Sequence, residues 1–117
     1  MLNVPKQIKI FLCAGATDMR KGFDTLAAVV RDTLRLDPLS GQLFVFRSRR
    51  GDRVKLLWWD GDGWALFYKR LEAGSFSFPA AREGQLSMTI SAADFAMLLE
   101  GVELASVRRA RRYRRPA

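Results

Sequence analysis

The stretch that most constrains the fold is QLFVFRSRRGDRVKLLWWDGDGWALFYKR, residues 42–70. It reads as three β-strands cut by two tight turns, Ser48-Arg49-Arg50-Gly51-Asp52 and Asp60-Gly61-Asp62-Gly63. β-Branched and aromatic residues fill the strands, and glycine supplies the positive φ that hairpin turns use. Phe44 and Phe46 fall on one face of the first strand, Leu43 and Val45 on the other. In the second strand Arg53 and Lys55 are expected to point outward and Val54 and Leu56 inward, before the run turns apolar on both faces at Leu57–Trp59. An antiparallel meander follows, with Arg47, Arg49, Arg50, Arg53 and Lys55 all near the tip of its first turn.

The remaining segments supply further elements. Ile8, Ile10 and Leu12 alternate with Gln7, Lys9 and Phe11, giving a strand over 7–12. A small-residue passage, Cys13-Ala14-Gly15-Ala16, leads to Thr17 as the expected N-cap of a helix over 18–35. Met19, Phe23, Leu26, Ala27, Val30 and Leu34 form its apolar stripe, and Arg20 and Asp24 make an i,i+4 pair outside it. Gly22, inside that helix, would permit close approach of a neighbour. Residues 75–78 suggest a short edge strand ended by Pro79, and 85–90 a strand with Leu86, Met88 and Ile90 on one face. Ser91 opens a second helix, 92–100, with Asp94 in a weaker form of the capping box and Phe95, Leu98, Leu99 and Val102 facing inward; Gly101 stops it. The expectation is a single α+β domain over residues 1–104: an antiparallel meander sheet of about five strands with two packed helices, followed by a basic tail over 105–117.

Charge is unevenly spread. The net +8 owes six arginines to residues 108–117, while the other 107 residues hold 14 basic and 12 acidic groups, net +2. Clustered arginine without acid suits a polyanion. The chain contains no histidine, which removes Ser/His and Cys/His nucleophile pairs and histidine-built zinc sites, and its single cysteine, Cys13, cannot replace them. That one cysteine also excludes an internal disulfide and fits a reducing cytoplasm. No apolar run approaches the roughly 18 residues of a membrane span, and IKIFLC is too short for a secretory leader. A cytoplasmic location is expected, nucleoid-associated when DNA is bound.

Two basic features are candidate DNA contacts. The tail, Arg108, Arg109, Arg111, Arg112, Arg114 and Arg115, would neutralise phosphates and release counterions; otherwise it is a solubilising segment. The hairpin tip, Arg47, Arg49, Arg50, Arg53 and Lys55, could enter a DNA groove as a two-stranded ribbon or straddle a backbone, or it could be a solvated edge that resists aggregation. Phosphate contacts of this kind position a protein without reading bases. Asp60 and Asp62 could be read as a metal pair, but carboxylates in a Gly-rich turn are more often turn formers, and a two-metal nuclease needs several converging acids. No metal, cofactor or catalytic residue is assigned. Trp58, Trp59, Trp64, Phe67 and Tyr68 could stack bases, though such density in a meander is more often core. Trp58 and Trp59 point to opposite faces, so one is a candidate partner contact unless both faces are covered. Cys13 lacks a basic partner and reads as a small buried hydrophobe.

Longer strings carry a resemblance. TDMRKGFDTLAAVV at 17–30, LDPLSGQLFVFRSRRGDRVKLLWWDGDGWALFYKRLEAGSFSFP at 36–79 and LLEGVEL at 98–104 resemble the TnpB accessory proteins, the second-reading-frame products of insertion-sequence-66-type elements. The likeness covers roughly residues 8–104 and leaves the arginine-rich end outside. It implies a bacterial mobile-element protein that assists transposition beside a larger transposase carrying the acidic catalytic residues. The expected role is a non-enzymatic accessory protein that binds DNA, the transposase, or both. The alternatives are a protein-only adaptor for the transposase and a small metal-dependent nuclease.

Overall fold

The computed structural model describes residue 5 and residues 7–100. Five strands form one sheet: β1 (Ile10–Ala16), β2 (Leu43–Arg47), β3 (Arg53–Trp59), β4 (Trp64–Arg70) and β5 (Ser87–Ile90), in spatial order β4-β3-β2-β1-β5. The meander forms in the register its alternation requires, with Phe44 opposite Leu57, Leu56 opposite Phe67 and Trp59 opposite Trp64. β5 runs antiparallel to β1, with Leu12 opposite Met88.

The sheet is mixed rather than purely antiparallel. β1 and β2 are parallel, with Ile10 opposite Leu43 and Leu12 opposite Val45. The cause is the connection: α1 (Phe23–Ala28) and the π-helical stretch that continues it, Val29–Thr33, carry the chain back along the sheet before β2 begins. Strands joined by such a crossover must point the same way.

Both sheet faces are covered. On one, Leu26, Ala27, Val30 and Leu34 of the α1 segment pack with Cys13, Phe44, Phe46 and Leu57. On the other, Phe95, Leu98 and Leu99 of α2 (Ala92–Glu100) pack with Ile10, Leu12, Leu43, Val45, Val54 and Leu56. Residues 43–46 of β2 are accordingly all buried, as an apolar run covered on two sides must be. No described helix is long and apolar enough to cross a membrane.

Several boundaries differ from the sequence reading. β1 begins at Ile10 and runs through the small-residue passage to Ala16, and the Thr17 N–H still donates to the Arg47 carbonyl at 2.8 Å. Small side chains do not stop a strand whose backbone has a partner. The helix starts at Phe23, not Asp18. Gly22 is its N-cap, not an interior residue, and its N–H donates to Thr25 Oγ1 at 2.9 Å. Asp18 instead closes its own turn: Oδ1 accepts from the Arg20 N–H at 2.9 Å, and Oδ2 from Arg20 Nη2 at 2.7 Å. Arg20 therefore pairs with Asp18 rather than Asp24. A side chain that satisfies backbone locally competes with the helix, and here the start comes five residues later than expected.

Residues 75–78 make no strand, although Phe76 is buried and its N–H donates to the Gly51 carbonyl at 2.7 Å. Leu86 precedes β5 and is exposed, unlike Met88 and Ile90. α2 opens as its sequence indicates, with Ser91 Oγ accepting from the Asp94 N–H at 3.0 Å. Gly101, Val102 and the tail lie outside the described residues.

Candidate nucleic-acid interface

The β2–β3 turn is fixed from within. The Ser48 N–H donates to the Arg53 carbonyl and the Gly51 N–H to the Ser48 carbonyl. Ser48 Oγ accepts from the Arg53 N–H at 3.1 Å and donates to Asp52 Oδ1 at 3.2 Å. Gly51, at φ +77°, takes the left-handed conformation that closes the turn. The turn is also fixed from outside. Besides the Phe76 bond to Gly51, the Leu71 N–H donates to the Asp52 carbonyl at 2.8 Å. A hairpin tip bonded in this way from both within and outside stands as a ridge on the sheet.

Arg49 and Arg50 stand on that ridge. Both are exposed, and neither side chain makes a hydrogen bond or ion pair among the described residues. The neighbouring cations are tethered. Arg47 Nη2 donates to the Ala14 carbonyl at 3.0 Å, and its guanidinium lies 5.9 Å from the Phe78 ring centroid. Arg53 Nη1 donates to the Tyr68 hydroxyl at 3.1 Å.

Lys55 departs from the outward position its alternation suggests. It is only 6% exposed, with Nζ donating to the Lys21 carbonyl at 2.7 Å and lying 4.6 Å from the Tyr68 ring centroid. Its face of β3 is the one covered by α1 and the chain leading into it, so the ammonium holds the 17–22 loop to the sheet. The six tail arginines lie outside the described residues.

Two clefts flank the ridge, and Arg49 and Arg50 line both. The larger, about 500 Å³, lies between the turn and residues 16–20 and adds Arg20 and Arg53, together with Asp18 and Asp52. Arg20 holds the Asp18 carboxyl well below its usual range, mainly through their side-chain hydrogen bonds and then through the Arg20 backbone N–H, and Asp18 in turn raises Arg20. The smaller, about 330 Å³, lies between the turn and residues 75–81, and is lined by Arg47, Phe76, Phe78 and Pro79. Its charged lining residues are all arginines.

Arg20 was visible to sequence reasoning only as a helix-surface residue. Its place in a cleft depends on β1 running far enough to carry residues 17–20 alongside Arg47. Phe78 falls in the segment whose pattern suggests an edge strand.

The other candidate groups go elsewhere. Asp60 and Asp62 lie at the opposite end of β3, in a turn closed by the Asp60 N–H bond to Gly63. Among the described residues no three His, Cys, Asp or Glu side chains converge on a metal position. Phe67 and Trp58 pack on the α2-side core and Trp64 on the α1-side core, where Trp59 meets Trp64 edge-on at 5.1 Å. Trp58 and Trp59 are both half-buried. Of the five aromatics, Tyr68 is the exposed one, at 47%. Cys13 is buried.

Comparison with known proteins places this scaffold. A family model described as IS66 Orf2 like protein matches residues 8–109. The chain belongs to this family. Two relatives from Sinorhizobium fredii (strain NBRC 101917 / NGR234) are similar over nearly their whole length. Uncharacterized protein y4hO is 44% identical over 103 residues, covering 88% of each chain. Uncharacterized protein y4jC is 37% identical over 109 residues, covering 93% of this chain and 92% of its own. No solved structure matches. Membership in the IS66 Orf2-like family makes this a transposition-associated accessory protein.

Proposed function

We propose that this IS66 Orf2-like protein acts without chemistry of its own, gripping DNA backbone during transposition while a separate transposase supplies the catalytic carboxylates. The observation that carries the reading is the pair Arg49 and Arg50, exposed and unpaired among the described residues on a turn that six backbone and side-chain hydrogen bonds and a left-handed glycine hold in place. Two unneutralised guanidinium groups on a fixed ridge suit phosphate oxygens, and little conformational freedom of the backbone is lost on binding. Arg53, tied to Tyr68, and Arg20 extend the contact along the larger cleft. The tail arginines add sequence-independent attraction.

Affinity for a duplex measured against salt tests this. Each phosphate neutralised contributes about −0.9 to the slope of log affinity against log salt. The Arg49→Ala/Arg50→Ala double variant is expected to bind roughly 10- to 100-fold more weakly at low salt, with the slope reduced by about 2. An unchanged slope would remove the ridge from the interface. Absence of duplex binding by the unaltered full chain at low salt would favour the protein-only adaptor.

A further inference from the structure

We infer that the smaller cleft, between the β2–β3 turn and residues 75–81, is a binding site for one unpaired nucleotide. Its phosphate would lie on Arg49 and Arg50, and its base against Phe78 and Pro79 beside the Arg47 guanidinium. The inference rests on the DNA-binding reading and deepens it.

Three observations support the site. Its charge is of one kind: arginines line it, whereas the larger cleft intersperses Asp18 and Asp52 among its cations. Its apolar wall is flat-sided, built from the Phe78 ring and Pro79, with Phe76 packed behind at 5.9 Å between ring centroids. Arg47 is held over Phe78 by its bond to the Ala14 carbonyl, so the guanidinium and the ring are organised before any ligand arrives.

An aromatic face with arginines beside it is the recurrent means of holding a base that has left its stack. At about 330 Å³ the cleft is at the small end of the roughly 300–1,000 Å³ typical of ligand pockets, a size for one nucleotide and not for a helix. A base inside a duplex has both faces covered by its stacked neighbours, whereas an extruded or terminal base has a face free to meet the wall. Transposition exposes such nucleotides wherever strands are opened or cut. The larger cleft has neither an aromatic side chain nor an acid-free lining, and is not assigned this role.

The test uses the full chain and three labelled probes: a blunt duplex, the same duplex with one unpaired nucleotide, and that duplex with an abasic unit at the unpaired position. The unpaired nucleotide is expected to tighten binding roughly 5- to 150-fold, the worth of one base–aromatic stack. The abasic probe, which keeps the phosphate, is expected to return to the blunt-duplex value. Phe78→Ala should abolish the preference, with an unaltered circular dichroism spectrum as the sign of an intact fold, and Phe78→Tyr should retain it.

Arginine-dependent binding of the blunt duplex with no gain from the unpaired nucleotide would overturn the inference while leaving the DNA reading intact. So would a gain that survives Phe78→Ala or the abasic unit. Failure to bind all three probes would overturn both. The abasic comparison needs no protein variant, so it decides the matter even if Phe78→Ala does not fold.

Discussion

The two flanks of the β2–β3 turn share Arg49 and Arg50 yet differ in what surrounds them. On the larger side the cations alternate with carboxylates that already have partners, Asp18 with Arg20 and Asp52 with Ser48. On the smaller side the charged lining is arginine and the wall is aromatic. Counting basic residues would rank the larger cleft first, since it has four arginines against three. Counting carboxylates as well leaves the larger with net +2 and the smaller with +3. The larger cleft suits the alternating potential of a solvated backbone, and the smaller a compact anion with a flat body. Removing both shared arginines should therefore weaken both modes together. It is the largest effect expected of any change at the site.

Next in size is a substitution that separates wall from contact. Lys55→Met keeps most of the buried stem but removes the ammonium that satisfies the Lys21 carbonyl. The expected cost is about 1–3 kcal/mol of folding stability, read as a lowered midpoint in urea. Duplex affinity should fall slightly, with its salt slope unchanged, because the ammonium is already engaged. A slope reduced by about 1 would return Lys55 to the list of phosphate contacts.

The ridge itself is tested by Gly51→Ala. The added Cβ would meet Ser75 Cβ at an ordinary 3.5 Å, so space is not the obstacle. The φ of +77° is. An L-residue there costs about 1–2 kcal/mol, and the turn would relax or the domain would lose that stability. If the turn relaxes, both clefts change shape, and the unpaired-nucleotide preference should fall further than blunt-duplex affinity. Equal losses would mean the smaller cleft is no more dependent on ridge geometry than the larger.

What the sequence made legible follows from where each feature's causes lie. The meander could be read because its strands are consecutive and their alternation is local, and the arginines of the ridge because they are neighbours in the chain. The parallel pairing of β1 with β2 could not be read from either strand, since direction is set by the helical crossover between them. Thr17 and Asp18 look like a helix start, and only the Asp18–Arg20 bonds show the carboxylate spent on a turn. Lys55 obeys the alternation rule but lies under α1, a fact about the covered face and not about the strand. The walls of both clefts, residues 16–20 and 75–81, come from segments about 30 residues to either side of the turn. Backbone bonds such as Thr17 to Arg47 and Phe76 to Gly51 bring them together. No periodicity announces those bonds.

The smallest effect bears most directly on the difference between the flanks. Asp18→Asn removes a negative charge from the larger cleft and releases Arg20, whose side chain is 91% exposed. Blunt-duplex affinity should rise about two- to fivefold at low salt and return toward the original value as salt screens the change. The preference for an unpaired nucleotide should not move, because Asp18 does not line the smaller cleft. The pH dependence has a definite sign. With its folded pKa lowered from 3.8, Asp18 contributes stability above that value and loses it as pH falls through the folded one. The variant should lack this small acid-side dependence while sharing the rest of the profile. If Asp18→Asn instead raised the unpaired-nucleotide preference, the two clefts would be one continuous electrostatic surface, and the contrast between them would lie in the aromatic wall alone.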